Sequence, residues 1–203
     1  MGKVVLIQKS RKEYKCSKCG QVIPKGSSYW KGELNFHPSI YRCTDCGLKG
    51  YEVTTSSYTL QVGAIVEEWT DTYGISDGCW DEIVQALEEV RDELEGNLEN
   101  MPEQLQDSET GELLQQRIEA IEDAISELEG ADMSTFVDSA FSNLSVDQQT
   151  DEFREFLDTT DAWWEKLIFD VDDQWGEVAD DFMNNIREEI EAFVNDALSS
   201  LEY

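Results

Sequence analysis

The chain holds one histidine, three prolines and five cysteines in 203 residues, and its 15 basic side chains face 45 acidic ones. Each shortage removes a class of chemistry. With His37 as the only imidazole, a Ser-His-Asp triad or a Cys-His pair would have to be built around residue 37, and a di-iron carboxylate bundle lacks its imidazole ligands. There is no GxxxxGK[ST] loop and no GxGxxG turn, so nucleotide chemistry lacks its backbone cradle. Asp170, Asp172 and Gln174 begin like a calcium loop, but Gly176 stands one place too late for the turn. No window approaches a membrane span, Val4-Val5-Leu6-Ile7 is far too short for a signal peptide, and Leu6 stands where a myristoylation motif wants Ser or Thr. The expectation is a non-enzymatic, soluble, cytoplasmic protein without a membrane partner.

Against these absences stand two knuckles, Cys16-Ser-Lys-Cys19-Gly20 and Cys43-Thr-Asp-Cys46-Gly47. Two thiolates separated by two residues wrap one side of a tetrahedral ion, and the glycine after each pair lets the backbone turn tightly. Cys16, Cys19, Cys43 and Cys46 are therefore the expected ligands of a structural zinc ion. Four protein ligands leave no open coordination position, so such an ion holds the fold and does not activate water. His37 lies six positions before Cys43 and is a candidate substitute ligand, disfavoured by Pro38 beside it and by the complete cysteine set. Cys79 is the odd cysteine, read as a free, partly buried thiol.

The net charge of −30 is unevenly spread. Residues 1–60 carry ten Lys/Arg and four acids, a formal +6; the rest of the chain holds 41 acids and five bases, a formal −36. The chain is bipolar, with a boundary near residue 55: a basic module over 1–54 and an acidic part over 55–203. Adaptation to salt would acidify the first part as well as the second.

In the first part, residues 3–8 read as a strand, and Pro24 and Gly26 mark a turn that would close a hairpin into Tyr29-Trp30. The spacing Cys-x-x-Cys-Gly-x-x-Ile-x-x-Gly-x-x-Tyr, led in by Ser10-Arg11-Lys12-Glu13-Tyr14 and ending in the second Cys-x-x-Cys-Gly, resembles the small treble-clef or zinc-ribbon modules of phage-encoded zinc-finger proteins. The resemblance covers the first quarter of the chain. It implies zinc on the four cysteines and, for a phage protein, the host cell cytoplasm; it implies no settled activity. Gly50 interrupts the longer helix a full treble clef would carry, so ribbon and treble clef both stay open.

The second part reads as helices. Thr54 to Ser57 offer N-caps for a helix carrying Val62, Ile65, Val66 and Trp69 to Gly74. A second follows Ser76-Asp77-Gly78, with Trp80, Ile83, Val84, Leu87, Val90, Leu94 and Leu98 on one side, and ends near Pro102. A third, from about Asp107 to Gly130, places Leu114, Ile118, Ile121, Ile125 and Leu128 in steps of four and three, the seam of a long antiparallel helical hairpin or coiled coil. Ser134 caps a brief helix with Phe136, Val137, Ala140, Phe141 and Leu144; Phe153, Phe156 and Leu157 mark another. Thr160 caps Trp163, Trp164, Leu167 and Ile168, and the last helix runs from Trp175 to Leu201. The fold class is mainly α, a β-rich zinc module followed by an acidic multi-helix bundle.

Three functional expectations follow. An acidic bundle of this charge repels nucleic acid and attracts a basic surface, which points to a DNA-mimic-like interaction protein that inhibits or regulates a basic nucleic-acid-handling protein. Alternatively the module binds nucleic acid through Lys9, Arg11, Lys12, Lys15, Lys18, Lys25, Lys31 and Arg42, with Tyr29 and Trp30 stacking on bases. A structural role, in which basic modules and acidic bundles pair between copies into a homo-oligomer, is the third. Trp163, Trp164 and Trp175 read as core more readily than as partner anchors.

Overall fold

The structure is a computed structural model that describes residues 2–74, 79–159 and 175–203. It divides into two compact units, Met1–Glu67 with Tyr203, and Glu68–Glu202.

The first unit contains five short strands. β1 (Lys3–Ile7), β4 (Tyr29–Glu33) and β5 (Ile40–Arg42) form an antiparallel sheet in the order β1-β4-β5, with Val5 opposite Lys31 and Lys31 opposite Tyr41. β2 (Tyr14–Lys15) and β3 (Val22–Ile23) form a separate two-stranded ladder. The hairpin expected across Pro24 and Gly26 is thus not formed: that turn passes from one sheet to the other. The buried hydroxyl of Ser10 decides the path, donating to the Pro24 carbonyl at 2.7 Å and accepting from the Gly26 N–H at 2.8 Å. Backbone bonds from Ser10 N–H to the Ser27 carbonyl and from Gly26 N–H to the Ser10 carbonyl complete the tie. The β1–β2 loop, not β4, therefore satisfies the turn's polar groups.

α1 (Ser57–Thr72) begins where the Ser56 hydroxyl accepts from the Thr59 N–H, a side-chain cap of the kind the hydroxyl run suggests. Tyr58 and Val62 are buried in this unit with Leu48, Tyr51 and Val53. The division between units falls inside α1, at Glu67, beyond the charge boundary near residue 55. Packing accounts for the difference: Gly63 brings the α1 backbone against the Tyr51 ring, so the first half of the helix belongs to the core of the basic module.

The second unit is helical. α2 (Cys79–Glu99) buries Trp80, Ile83, Val84, Leu87, Val90 and Leu94, and α4 (Glu109–Glu129) buries Ile118, Ile121, Ala124, Ile125 and Leu128. These stripes recur every three to four residues, and α2 and α4 make the most extensive helix–helix contact among the described residues. Between them lies α3 (Glu103–Gln106), after Pro102, where the Gln106 amide donates to the Met101 carbonyl at 2.9 Å. Ser108 caps α4. Leu114, expected in the seam, is only half-buried.

α5 (Met133–Ser142) starts at Asp132, whose carboxylate accepts from the Ser134 N–H at 2.9 Å, so Ser134 lies inside the helix and the cap is two residues earlier than expected. α6 (Asp151–Thr159) inserts Phe153 into a cluster with Phe182 at 5.5 Å and Trp175 at 5.1 Å between ring centroids. α7 (Gly176–Leu198) packs on α5 and α4 through Phe182, Ile186, Ile190 and Val194. The Trp69 indole donates to Asn195 at 3.0 Å, fixing the last turns of α1 on α7. Trp175, expected in the core, is half-buried and joins the ring cluster at its edge with Phe153 and Phe156. Trp163, Trp164, Leu167, Ile168 and their cap Thr160, the Asp170–Gln174 pattern and Ser76-Asp77-Gly78 lie outside the described residues.

Candidate metal centre

The four cysteines are brought together from two loops. Cys16 follows β2, Cys19 closes the first knuckle, and Cys43 and Cys46 follow β5. In each knuckle the glycine N–H donates back to the first cysteine's carbonyl, Gly20 to Cys16 at 3.0 Å and Gly47 to Cys43 at 3.2 Å. Both glycines sit in the left-handed region, at φ 75° and 63°, where a Cβ would be strained. The knuckles are joined by Ser17, whose N–H and hydroxyl both donate to the Tyr41 carbonyl, at 2.8 and 3.0 Å.

One ligand atom from each cysteine lies within 4.8 Å of the other three. Cys19 Sγ and Cys43 Sγ are 3.8 Å apart. Thiolates bound at about 2.3 Å around a tetrahedral ion are separated by about 3.8 Å, so this cross-knuckle pair already has the spacing of a coordinated edge. The donor set therefore fits a soft, four-coordinate metal ion, held by Cys16, Cys19, Cys43 and Cys46 and saturated by them.

The inner wall of the site is apolar. Cys16 is 1% exposed and packs with Ile23 and Tyr29, flanked by Ile7, Tyr14 and Tyr41. Tyr14 stacks on Tyr41 with centroids 4.3 Å apart and lies 5.0 Å from Tyr29. Cys19 faces solvent and Cys46 is intermediate. Burial opposes the Cys16 thiolate, yet the backbone N–H groups of Cys19, Cys43 and Lys18 outweigh it and bring the thiol down to about 6. Hydrogen bonds to Cys43 and Cys19, then burial and the neighbouring Cys16, push Cys46 up to about 12. Cys16 thus gives up its proton before Cys46, because the negative charge on the first burdens the second; a bound cation removes that burden.

An ion pair braces the far side of the second knuckle. Arg42 Nη2 lies 2.6 Å from Glu52 Oε1, the other carboxylate oxygen accepts from the Lys49 N–H at 2.8 Å, and both side chains are largely buried. The last residue of β5, directly before Cys43, is thereby tied to the loop that follows Cys46.

His37 is exposed in the β4–β5 turn and does not join the cluster. Cys79 is buried at the start of α2. The stacking pair needs correction: Tyr29 is 5% exposed beneath the site and presents no face to a base, while Trp30 is half-buried. Of the eight basic residues grouped with them, Lys31 pairs with Glu33 and Arg42 with Glu52. The Ser10 tie, the tyrosine cluster and the Arg42–Glu52 brace had no motif to announce them. The only signal was the position of Arg42 directly before Cys43. Comparisons with family models, curated proteins and solved structures find no match.

Proposed function

We propose that this is a zinc-stabilised interaction protein without catalytic activity, whose acidic helical unit engages a basic nucleic-acid-handling protein and inhibits or regulates it by presenting carboxylates in place of phosphates. The observation that supports this reading is how little of the acidic charge is compensated. Residues 68–202 contain 40 acids and five bases, a formal −35. Arg91 pairs with Glu88 and Asp92, and Arg154 with Asp138 and Asp158, so these cations are already engaged within the unit. None of the described helices places a basic residue in its last turn, where it would complement the helix dipole. A fold arranged for stability alone would use such positions. A fold arranged to project negative potential leaves them unfilled.

Zinc is the metal assigned to the four thiolates, because tetrahedral all-sulfur coordination with no redox demand suits it best. The ion closes the two knuckles and so orders the module that precedes the acidic unit. The antiparallel sense of α2 and α4, joined through the short α3, belongs to the same reading, as does a phage origin with action in the host cytoplasm. Nucleic acid binding by the module is the weaker reading, since Tyr29, Lys31 and Arg42 are committed inside it.

The test is capture of proteins by the intact chain from bacterial lysate treated with nuclease, identification of the captured protein, and competition by duplex DNA. A nucleic-acid-handling protein displaced by DNA, with affinity falling roughly 100-fold or more between about 50 and 200 mM salt, is the expected result. An affinity that does not respond to salt, or a captured protein that DNA fails to displace, overturns the proposal.

A further inference from the structure

Lys9, Arg11, Lys12, Lys15, Lys18 and Lys25 are all exposed, and among the described residues none of them enters an ion pair. Three other cations of the module behave differently: Lys31, Arg42 and Lys49 pair with Glu33, Glu52 and Glu67. Glu13 is the single acid within residues 9–25. The module thus sorts its charge, neutralising one set internally and leaving the other open.

The open set is also held in place. Ser10, 3% exposed, is bonded to both Pro24 and Gly26, so the loop carrying Lys9, Arg11 and Lys12 is pinned to the turn carrying Lys25. Lys15 stands opposite Val22 in the β2–β3 ladder, on the face away from the buried Tyr14–Ile23 pair, and Val22 is 62% exposed. Lys12 lies over the Tyr14 ring at 5.4 Å. The result is one ordered basic strip with an apolar patch at Val22. Its charge is opposite to that of the helical unit, which carries a formal −35.

We propose that this strip docks on the acidic helical unit of a second copy of the chain, giving head-to-tail self-association at low ionic strength. Charge complementarity selects the occupant: the same chain that presents the open cations also presents, at equal concentration, the largest store of unpaired carboxylates within reach. The contact is heterologous, strip to helices, so each copy keeps one free strip or one free acidic unit and growth beyond two copies follows unless the ring closes. The inference goes beyond the function proposed above and stands without it, since it needs only the purified protein.

Sedimentation of the zinc-loaded full chain tests the proposal from about 0.01 M to about 1 M salt, over which the screening length falls from about 30 Å to about 3 Å. Association that weakens steadily to monomer is expected. The triple change Lys9→Glu, Lys12→Glu and Lys25→Glu spares the knuckles and should raise the concentration for half-association about tenfold or more, while Lys49→Gln should leave it unchanged. Zero-length carbodiimide coupling in a mixture of 14N- and 15N-labelled chains then identifies the contact. Mixed-isotope links between Lys9–Lys25 and carboxylates of 68–202 support the proposal. Links only within single chains, a monomer at every salt concentration, or binding of an oligonucleotide by the strip under conditions where the chain stays monomeric each overturn it. None of these failures alters the outcome of the DNA competition above.

Discussion

Gly63→Ala sets helix propensity against packing, and the structure predicts that packing wins. Glycine inside a helix is less favourable than alanine by about 0.8–1 kcal/mol, so the substitution should by that account stabilise α1. A Cβ at Gly63 would, however, stand 2.8 Å from Tyr51 Cδ2 and closer still to Tyr51 Cβ and Cγ. These atoms are the stem of a ring that is 5% exposed, so no flexible tip can swing aside. Overpacking of this kind costs about 1–3 kcal/mol, and the lack of a yielding atom places Gly63 in the upper half of that range. The net expectation is a loss of about 1–2 kcal/mol. Gly96→Ala is the matched control: Gly96 lies in α2, nothing approaches a Cβ there within 4 Å, and a gain of about 0.5–1 kcal/mol is expected. Urea unfolding of the zinc-loaded chain followed by circular dichroism and tryptophan fluorescence measures both. If Gly63→Ala stabilises the protein as Gly96→Ala does, the close approach of α1 to Tyr51 is wrong, and with it the assignment of half of α1 to the basic module.

Three further outcomes follow. Cys43→Ser should release zinc to a colorimetric chelator at concentrations the wild type withstands, and should broaden the amide NMR signals of residues 14–47, because Cys43 forms the 3.8 Å edge across the knuckles; full retention of one equivalent of zinc would refute four-thiolate coordination. Ser10→Ala removes a buried hydroxyl that donates to Pro24 and serves Gly26, and should cost about 1–3 kcal/mol by denaturant unfolding. The Ser134 N–H bonded to Asp132 holds the Asp132 carboxyl below its ordinary range, so its contribution is present above the ordinary carboxylate pKa and fades as pH falls through the lowered value. The stability difference between wild type and Asp132→Ala should accordingly be full at neutral pH and shrink in strong acid, as read from thermal melts; a difference that grows on acidification would contradict the cap.

The cysteine cluster was legible because metal chelation demands short, fixed spacing: a Cys-x-x-Cys-Gly pair can wrap one side of an ion, and the pattern survives whatever surrounds it. Helices were legible for a related reason, since the stripes of α2 and α4 recur with the helical period regardless of partner. The sheet order was not. Residues 22–30 carry good turn chemistry for a hairpin, yet the Ser10 hydroxyl, distant in sequence, satisfies that turn and sends β3 and β4 to different sheets. Side-chain availability was equally hidden. Tyr29 and Trp30 look alike as aromatic letters beside lysines, and only the packing of Cys16 and Ile23 shows that Tyr29 lies beneath the site. The unit boundary moved for a similar cause, because charge changes sign near residue 55 while Tyr51 packs across that point onto Gly63.

Tyr203 belongs to the first unit: its hydroxyl donates to Glu67 at 3.1 Å and its ring meets Tyr51 edge-on at 6.4 Å between centroids. During synthesis the cysteine knuckles and Tyr51 leave the ribosome before the helical unit, but this tyrosine emerges only after all of residues 68–202. A chain stalled anywhere in the helical unit therefore carries cysteine knuckles whose neighbouring Tyr51 edge is still bare. Closure of that edge reports that translation has passed Tyr203, which makes the environment of Tyr51 a natural marker for separating chains that include Tyr203 from those truncated within the helical unit.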